Sequence, residues 1–562
     1  MEESNKAINL LIETSWEVCN KIGGIYTVLS TKARVLNKLY GDKVVFIGPD
    51  VWTEEHPSPF FTEDHTVLKD WKEALMLPEG VSVRVGRWDI PGRPKVILVR
   101  FDGMYACKDA FYGRMWELYG VDSLHAYGDY DEACAFSHAA GLVIENLVNY
   151  QKKTKALPSR KPGVIAHFDE WTTGMGLLYV KDVCPDVATV FTTHATSIGR
   201  SICGNGKPLY DYLHAYSGDG MAAELNMESK HSLEKAAAVQ ADVFTTVSEV
   251  TARECKQFFE REPLVTPNGF EEDFVPKPRA LAAVRKTARH QLLRVATALT
   301  GKHFDDKETF IVATSGRCEY RNKGLDLFLD AMNVIESAAP PKSVLSFVLV
   351  PAWSAGQRVD LAKALTLDDN SGVKDPVLTH ELNNYFEDPI NSRLHQLNFA
   401  WRNSDPGSKV TTIYVPCYLN GADGIIDLKY YDVLPGCDVT AFASYYEPWG
   451  YTPLESVAFG VPTITTSLSG FGQWVLSTGE NSFEDTGVRV ENRTDSNYAE
   501  VCSEMASDIL QLINSSSKTM NAISKAARNT ADKASWAHFM KYYETAYITA
   551  LKSVTKRVKV NK

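Results

Sequence analysis

Short apolar or β-branched segments alternate with amphipathic, helix-like segments along this chain, and this alternation constrains the fold more than any other feature. The predicted strands are Lys43–Ile47, Lys95–Arg100, Val164–Phe168, Ala188–Thr193, Asp242–Thr246, Thr309–Ala313, Leu345–Val350, Val410–Val415, Val439–Ala443 and Thr463–Thr466. Helical patterns such as Tyr26–Leu39 and Asp131–Tyr150 lie between them. Strands that alternate with helices form parallel sheets with crossover helices. We therefore predict an α/β fold built from doubly wound, Rossmann-like sheets.

The chain is too long for one hydrophobic core, because it has 562 residues and single cores stop growing at about 250–300 residues. The segment Phe274–Arg279 contains two prolines, which restrict the backbone as an interdomain linker would. We predict an N-terminal domain at 1–275, a C-terminal domain at 276–534 with a helical insertion around 280–300 and 355–404, and a final helix at 535–562 that packs back on the N-terminal domain. Two such domains would face each other across a deep cleft, at the carboxyl ends of their strands, where ligands of these sheets bind.

The composition excludes several functional classes. The formal net charge of −11 argues against a general nucleic-acid-binding role. No apolar run reaches the length that spans a bilayer, and the polar start Met1–Lys6 lacks the pattern of a secretion signal. The ten cysteines are scattered without a CxxC pair, as expected for reduced thiols in a cytoplasmic protein. Neither paired histidines nor an acidic cluster indicates a metal site.

The segment Tyr445–Glu455 carries the strongest chemical signal. It follows the apolar run Cys437–Ala443, which predicts a buried strand, and it leads into a predicted helix at Pro453–Phe459. Glu447 lies in the loop, and Glu455 lies eight residues later within the first turns of the helix. A helix N-terminus attracts phosphate, so two acids beside it suggest one group for a sugar and one for a ribose. The pattern is typical of an enzyme that breaks a sugar–nucleotide bond.

A loop near the N-terminus, Lys21–Val28, contains paired glycines at Gly23 and Gly24 ahead of a predicted helix. Paired glycines let backbone N–H groups approach an anion closely. The loop is neither a Walker motif nor a GxGxxG motif, and a plain turn before a helix explains it equally well.

A basic loop, Ser315–Gly324, connects a predicted strand to a predicted helix and contains Arg317, Arg321 and Lys323. The fork of donors on an arginine and the compact charge of a lysine both suit a diphosphate. A solvated charged loop is the alternative reading of the same residues.

Other polar residues follow predicted strands in the first half of the chain. His194 comes directly after Ala188–Thr193 and is a candidate for contacting a sugar hydroxyl or moving a proton, although a lone histidine is often structural. Arg200 follows six residues later and is a candidate for phosphate binding. Asn268 lies in an Asn-Gly turn at the end of this half, where it could contact a ligand.

Together these segments resemble the glycogen synthases of animals and fungi, a family of retaining glycosyltransferases with the two-domain GT-B fold. The resemblance covers most of the chain. It is carried by Lys21–Val28, Ala166–Trp171, Phe191–Thr196, Asp242–Ser248, Ser315–Gly324, Tyr445–Glu455 and Ser469–Gly472. Glu447 and Glu455 match the E-x7-E pair of retaining GT-B enzymes, and the residues around them are specific to this family.

The resemblance implies a reaction. Glucose would pass from uridine diphosphoglucose (UDP-glucose) to the 4-hydroxyl at the non-reducing end of an α-1,4-glucan such as glycogen, with retention of configuration. No metal and no other cofactor would take part. The implied catalytic residues are Glu447, His194, Arg317 and Lys323, and the implied substrate-binding residues are Lys21, Gly23, Gly24, Arg200, Asn268, Tyr430, Trp449, Gly450, Tyr451, Thr452 and Glu455.

Individual roles follow from the same resemblance. Glu447 would stabilise the cationic transition state of the glucose, and the sequence leaves open whether it forms a covalent bond. Glu455 would hold the ribose hydroxyls, and Tyr430 would stack on uracil. Arg317, Lys323, the glycine loop and the helix N-terminus at Tyr451-Thr452 would receive the departing diphosphate, while His194, Asn268 and Arg200 would position and stabilise the glucose.

The chain departs from the family pattern in places. Asp169 stands where members commonly have histidine, which leaves its role open. The stretch Ala546–Lys562 contains one arginine, Arg557, where regulated members carry an arginine-rich helix that senses glucose 6-phosphate. The serine-rich tails of regulated members have no counterpart. We therefore expect an unregulated, microbial-type enzyme that glucose 6-phosphate does not activate.

Two other functions compete with this reading. The first is a related transferase with a small acceptor, as in sucrose or trehalose-phosphate synthases, because a fold does not determine the acceptor. The second is a glucan-binding scaffold without turnover. The resemblance also implies self-association, with a tetramer as one form, through the helical insertion.

Overall fold

The structure is a computed structural model that describes residues 7–53, 55–157, 163–479 and 481–560. The chain forms two compact units. The first unit comprises the described residues up to Glu271 together with those from Ser535 onward, and the second unit comprises Glu272–Ala534. Among the described residues, no helix combines the length and the apolar character that crossing a membrane requires.

The first unit contains one nine-stranded sheet in the order β3-β4-β5-β2-β1-β6-β7-β8-β9. Its strands are β1 Leu10–Thr14, β2 Val44–Pro49, β3 Phe61–Glu63, β4 Ser82–Trp88, β5 Lys95–Arg100, β6 Val164–Asp169, β7 Ala188–Thr193, β8 Val243–Thr246 and β9 Leu264–Val265. All pairs are parallel except those of β4 with β3 and β5. The central strands are buried on both faces, as expected where helices cover both sides of a parallel sheet.

The helices of the first unit follow the predicted alternation. They are α1 Gly24–Tyr40, α2 Lys69–Ala74, α3 Lys108–Tyr119, α4 Tyr130–Lys153, α5 Gly174–Val183, α6 Ser197–Gly204, α7 Gly218–Glu224, α8 Glu228–Gln240 and α9 Glu249–Phe259, and the unit is completed by the C-terminal helix α21 Trp536–Val560. Helix α21 packs against α1 and against strands β6, β7 and β8. At its start, Trp536 Nε1 donates a hydrogen bond of 2.7 Å to Thr31 Oγ1.

The second unit contains a six-stranded, fully parallel sheet in the order β14-β11-β10-β15-β16-β17, and a two-stranded antiparallel ribbon, β12-β13. Its strands are β10 Thr309–Ser315, β11 Ser343–Leu349, β12 Ser354–Gln357, β13 His380–Leu382, β14 Val410–Val415, β15 Val439–Ala441, β16 Thr463–Thr466 and β17 Val488–Glu491. Its helices are α10 Pro278–Thr300, α11 Leu325–Ser337, α12 Val359–Leu367, α13 Pro389–Gln396, α14 Phe399–Arg402, α15 Tyr430–Val433, α16 Tyr451–Ala458, α17 Gly470–Thr478, α18 Phe483–Thr486, α19 Tyr498–Ile513 and α20 Ser517–Lys533.

Each strand predicted from the sequence is present, with ends that shift by a few residues. The long helix α10 belongs to the hydrophobic core of the second unit, because its residues Leu292, Val295, Ala296 and Leu299 pack with Ile311 and Leu345 of the sheet. Residues 355–404 form the ribbon and the short helices α12, α13 and α14. The predicted α/β fold class with doubly wound sheets is therefore confirmed.

Candidate functional site

The glycine loop of the first unit is organised by a carboxylate that sequence reasoning missed. Glu17 Oε2 accepts hydrogen bonds from the backbone N–H groups of Gly23, at 2.7 Å, and Tyr26, at 2.9 Å. Helix α1 begins at Gly24, and Lys21 lies exposed with its Nζ 5.7 Å from the centre of the Tyr26 ring. The loop thus already binds one carboxylate, so a phosphate that used these amides would have to displace Glu17.

His194 and Asp169 meet at the carboxyl ends of neighbouring strands. Strands β6 and β7 pair in parallel with Asp169 beside Thr192, so His194 emerges directly after this pair. Asp169 Oδ1 lies 2.9 Å from His194 Nε2. Asp169 is 1% exposed and His194 is 8% exposed, so little water competes for this hydrogen bond.

Glu170 is a further residue that sequence reasoning did not identify. Its backbone adopts φ 69° and ψ 163°, a region that non-glycine residues enter at a cost of about 1–3 kcal/mol and that often marks functional sites. Its Oε2 accepts a hydrogen bond of 3.3 Å from the His194 N–H. Burial and the nearby Glu234 raise the pKa of Glu170 well above its usual value, while Arg200 acts in the opposite direction.

Arg200 lies on α6, whose N-cap is the Thr196 side chain. Burial raises the pKa of Glu234 to about 7, and the charge of Arg200 acts in the opposite direction. Glu234 Oε2 accepts a hydrogen bond of 2.9 Å from the Ser197 N–H at the start of the same helix. Arg200 therefore lies in the field of two acids, Glu170 and Glu234.

Asn268 is 3% exposed. Its side-chain Oδ1 is buried and has no hydrogen-bond partner among the described residues. An unsatisfied buried acceptor costs about 1–3 kcal/mol, so Asn268 has an acceptor that a ligand hydroxyl or a water molecule would satisfy.

In the second unit, the two residues predicted to carry opposite charge at the reacting sugar form an ion pair. Lys323 Nζ lies 2.5 Å from Glu447 Oε2, and the two side chains are 15% and 14% exposed. Their separation of 124 positions along the chain shows that the folded sheet brings them together. Arg317, on the same loop as Lys323, is more exposed and pairs with Glu319 at 2.9 Å.

The loop from Glu447 to Gly450 is held by backbone contacts to the start of α17. The carbonyl of Glu447 accepts a hydrogen bond from the Gly470 N–H, and the carbonyl of Trp449 accepts hydrogen bonds from Ser469 Oγ and the Phe471 N–H. The Trp449 side chain is 4% exposed and packs edge-on against Phe471. These contacts set the position of the Glu447 backbone.

Helix α16 begins at Tyr451, two residues earlier than predicted from Pro453. Gly450 at the N-cap has φ 108°, a conformation that favours glycine, and carries no side chain that could bond the first-turn N–H groups. Thr452 and Pro453 fall in the first turn, where the missing N–H of proline costs nothing. The helix start is therefore suited to an external anion.

Glu455 is paired with a tyrosine that the sequence did not single out. Tyr431 OH donates a hydrogen bond of 2.8 Å to Glu455 Oε1. Burial raises the pKa of Glu455 to about 7, an effect that this hydrogen bond opposes. The preceding residue, Tyr430, lies with its OH 2.9 Å from Ser315 Oγ. Both tyrosines belong to the short helix α15.

Among the described residues, two groups of side chains have the composition of metal ligands, each with its ligand atoms within 4.8 Å of one another: Glu13, His167 and Asp169, and His380, Cys417 and Asp423. The ammonium of Lys32 already pairs with Glu13 in the first group. In the second group, His380 Nε2 lies 3.1 Å from the Asp423 carbonyl oxygen. Neither group includes a residue predicted to bind substrate.

The chain is similar in sequence to one family of known proteins. The sequence model of the family described as Glycogen synthase matches residues 13–369 and 357–560. The chain is 29% identical to a glycogen [starch] synthase of Neurospora crassa, over 86% of this chain and 75% of that protein. It is 28% identical to the liver glycogen [starch] synthase of Homo sapiens, over 96% of this chain and 82% of that protein.

Solved structures show the same fold. The catalytic domain of starch synthase IV from Arabidopsis thaliana, bound to ADP and acarbose, superposes with a TM-score of 0.56 at 15% identity and covers 97% of this chain and 99% of that chain. A UDP-forming trehalose-phosphate synthase from Burkholderia xenovorans superposes with a TM-score of 0.51 at 12% identity and covers 98% of this chain and 99% of that chain. The predicted GT-B fold is confirmed by these likenesses.

Proposed function

This chain belongs to the glycogen synthase family, and we propose that it transfers glucose from UDP-glucose to the non-reducing 4-hydroxyl of an α-1,4-glucan with retention of configuration. The observation that carries the proposal is the ion pair between Lys323 and Glu447, placed beside the N-terminus of α16. A cation, a carboxylate and a helix N-terminus together supply what a sugar–diphosphate bond needs in order to break.

The departing diphosphate gains negative charge as the bond breaks. Lys323 and Arg317 supply cations for it, and the N–H groups of Tyr451 and Thr452 supply the positive end of α16. Lys323 is paired with Glu447. When a diphosphate attracts Lys323, part of the positive charge that neutralises Glu447 is withdrawn.

Glu447 then acts on the glucose. The anomeric carbon becomes positively charged in the transition state, and a fixed carboxylate stabilises that charge. Because the backbone of Glu447 and Trp449 is bonded to the start of α17, the carboxylate needs little reorganisation. This role applies whether or not a covalent intermediate forms.

The nucleoside is assigned to Glu455 and Tyr430. Glu455 accepts hydrogen bonds from the ribose hydroxyls when it is ionised, and Tyr431 holds its carboxyl group in place at 2.8 Å. Tyr430 stacks on the uracil. In the first unit, His194 and Asn268 each present a polar atom to a glucose hydroxyl, and Arg200 adds positive charge.

The test uses the purified enzyme with UDP-glucose and glycogen. We expect release of uridine diphosphate, elongation of the glucan and α-configuration of the new bond by nuclear magnetic resonance (NMR). A disaccharide product would indicate a transferase with a small acceptor. Absence of uridine diphosphate release, from folded protein that still binds glycogen, would indicate a scaffold.

Metal independence, a cytoplasmic location and self-association are part of the same proposal. All ten cysteines are free thiols, which suits a reducing compartment. Activity in excess chelator tests metal independence, and light scattering during size-exclusion chromatography measures the oligomeric state. Loss of activity that added Mg²⁺ restores would contradict the assignment of the diphosphate to protein cations.

A further inference from the structure

A cluster of buried ionisable side chains contacts His194. Lys32 Nζ pairs with Glu13 Oε1, and the exposed fraction of each side chain is 1% or less. The carboxyl groups of Glu13 and Asp169 lie close together, with His167 beside them. His194 is the outermost member of this cluster, and its Nε2 is 2.9 Å from Asp169 Oδ1.

We propose that Asp169 is a positioning residue that holds His194 with its proton on Nε2 and thereby leaves Nδ1 as an acceptor for a sugar hydroxyl. This inference rests on the proposed function, because it assigns the atom of His194 that contacts the hexose. Asp169 itself touches no substrate and acts through the imidazole.

The charge state of Asp169 determines the direction of the hydrogen bond. Burial acts to raise the pKa of Asp169, but the positive charge that His167 carries in acid, the hydrogen bond from His194 and the charge of Lys32 outweigh it, so the pKa lies below its usual value. An ionised carboxylate can only accept hydrogen bonds. The proton between the two side chains must therefore be carried by His194 Nε2.

Two carboxyl groups, those of Asp169 and Glu13, lie near the single ammonium group of Lys32. Burial raises the pKa of Glu13 to about 7, and its interaction with Asp169 acts in the same direction. Glu13 Oε2 and Asp169 Oδ2 are both buried, and neither has a conventional donor among the described residues. A proton carried by Glu13 leaves the negative charge of the two carboxyl groups on Asp169.

His167 does not compete for this role. Its Nε2 lies 2.7 Å from Thr192 Oγ1 and its Nδ1 lies 3.2 Å from Tyr547 OH. Burial lowers the pKa of His167 to about 3, so it is neutral near pH 7. Both of its nitrogens are occupied by hydroxyl groups of the fold.

His194 differs from His167 in this respect. Its backbone N–H bonds Glu170 Oε2, its Nε2 bonds Asp169, and no hydrogen bond to its Nδ1 is found within the described parts of the chain. The ring is thus fixed at two points with one nitrogen unused. A neutral imidazole protonated at Nε2 accepts at Nδ1, which is the group required to bind a sugar O–H.

The first experiment reads the tautomer without measuring activity. In the wild-type enzyme labelled with ¹⁵N-histidine, the resonances absent from the His194→Ala spectrum are assigned to His194. We expect a protonated Nε2 and an unprotonated Nδ1 near pH 7. A proton on Nδ1 instead would overturn the inference, whatever the enzyme proves to catalyse.

The second experiment is a double-mutant cycle on glucosyl transfer. We expect Asp169→Asn to lower kcat about 10- to 100-fold, the cost of a misplaced reacting group, with a smaller change in KM. In the His194→Ala background the same change should have no further effect on kcat. If it lowers kcat by the same factor in both backgrounds, Asp169 does not act through His194.

The matched control is Asp242→Asn. Asp242 is also a buried aspartate of the first unit, paired with Lys181 at 2.8 Å and with Arg557. It carries no assigned role, so its variant should lose stability but keep kcat. An equal loss of kcat in this control would mean that loss of any buried charge explains the effect of Asp169→Asn. Failure of the wild type to transfer glucose would instead refute the proposed function, while the tautomer measurement would still stand.

Discussion

Replacing Glu455 with glutamine should stabilise the enzyme at alkaline pH while weakening donor binding. Glu455 is 9% exposed, and burial raises its pKa from a usual value of 4.5 to about 7. A carboxyl group with a raised pKa favours the folded state below its unfolded pKa, and this contribution is lost as the pH rises through the folded pKa. Glutamine keeps the acceptor for Tyr431 OH and removes the buried charge.

The magnitude follows from the two pKa values. At pH 8 both states are ionised, and the shift of about 2.5 units costs the wild type about 3 kcal/mol at 1.36 kcal/mol per unit. At pH 5 the carboxyl group is protonated in the folded state but largely ionised in the unfolded state, so the cost to folding is only about 1 kcal/mol. Glu455→Gln should therefore raise the apparent Tm by about 5 °C or more at pH 8, taking about 2 °C per kcal/mol for a unit of this size, and by much less at pH 5.

Differential scanning calorimetry at pH 5 and pH 8 measures this difference. Glu500→Gln, at an exposed position on α19, is the matched control, since its carboxylate remains in water. In the same variant, KM for UDP-glucose should rise, because a neutral amide replaces the carboxylate that accepts the ribose hydroxyls. An equal Tm change at both pH values, or a lower Tm at pH 8, would refute the reasoning that Glu455 is a strained, buried charge kept for binding.

Three further outcomes follow from the structure. Glu447→Gln should lower kcat about 10²–10³-fold, as for loss of a charge that stabilises the transition state, and near-normal turnover in a uridine diphosphate release assay would contradict its role. Lys32→Met should destabilise the folded state by about 3–5 kcal/mol, because it leaves buried acids without their cation; an unchanged urea midpoint would argue against the buried network. Glucose 6-phosphate should not activate the enzyme severalfold, because Arg557 is occupied by Asp242; assays with and without this sugar phosphate decide the question.

The sequence predicted the strands well because local pattern and burial are linked. The strand Ala188–Thr193 was predicted with the bounds that the structure shows. The start of α16 was predicted late, since Pro453 is a clear helix-start signal, whereas nothing local in the sequence indicates the positive φ of Gly450. Strands β3 and β4, at one end of the nine-stranded sheet, were not singled out, because charged residues such as Arg84 and Arg87 interrupt the apolar run of β4 and β3 has only three residues.

The sequence did not predict which distant residues pair with each other. Tyr431 was not recognised as the partner of Glu455, nor Glu17 as the ligand of the glycine loop, because neither residue belongs to a motif. Asp169 was seen only as a departure from a family pattern. Its contact with His194 arises because β6 and β7 are neighbours in the sheet, which no local signal specifies.

By itself, the sequence determined the alternation of strands and helices, the positions where polar residues follow strands, and the presence of Glu447 and Glu455 at the spacing of a retaining transferase. These properties depend on residue type and on separations of a few positions, so they can be read locally. Only the tertiary structure decided which distant side chains meet, such as Lys323 with Glu447 and Lys32 with Glu13, and which nitrogen of His194 is occupied. Strand order and side-chain packing place those groups within hydrogen-bond distance, and burial then shifts their pKa values, because removing water strengthens every charge interaction that remains.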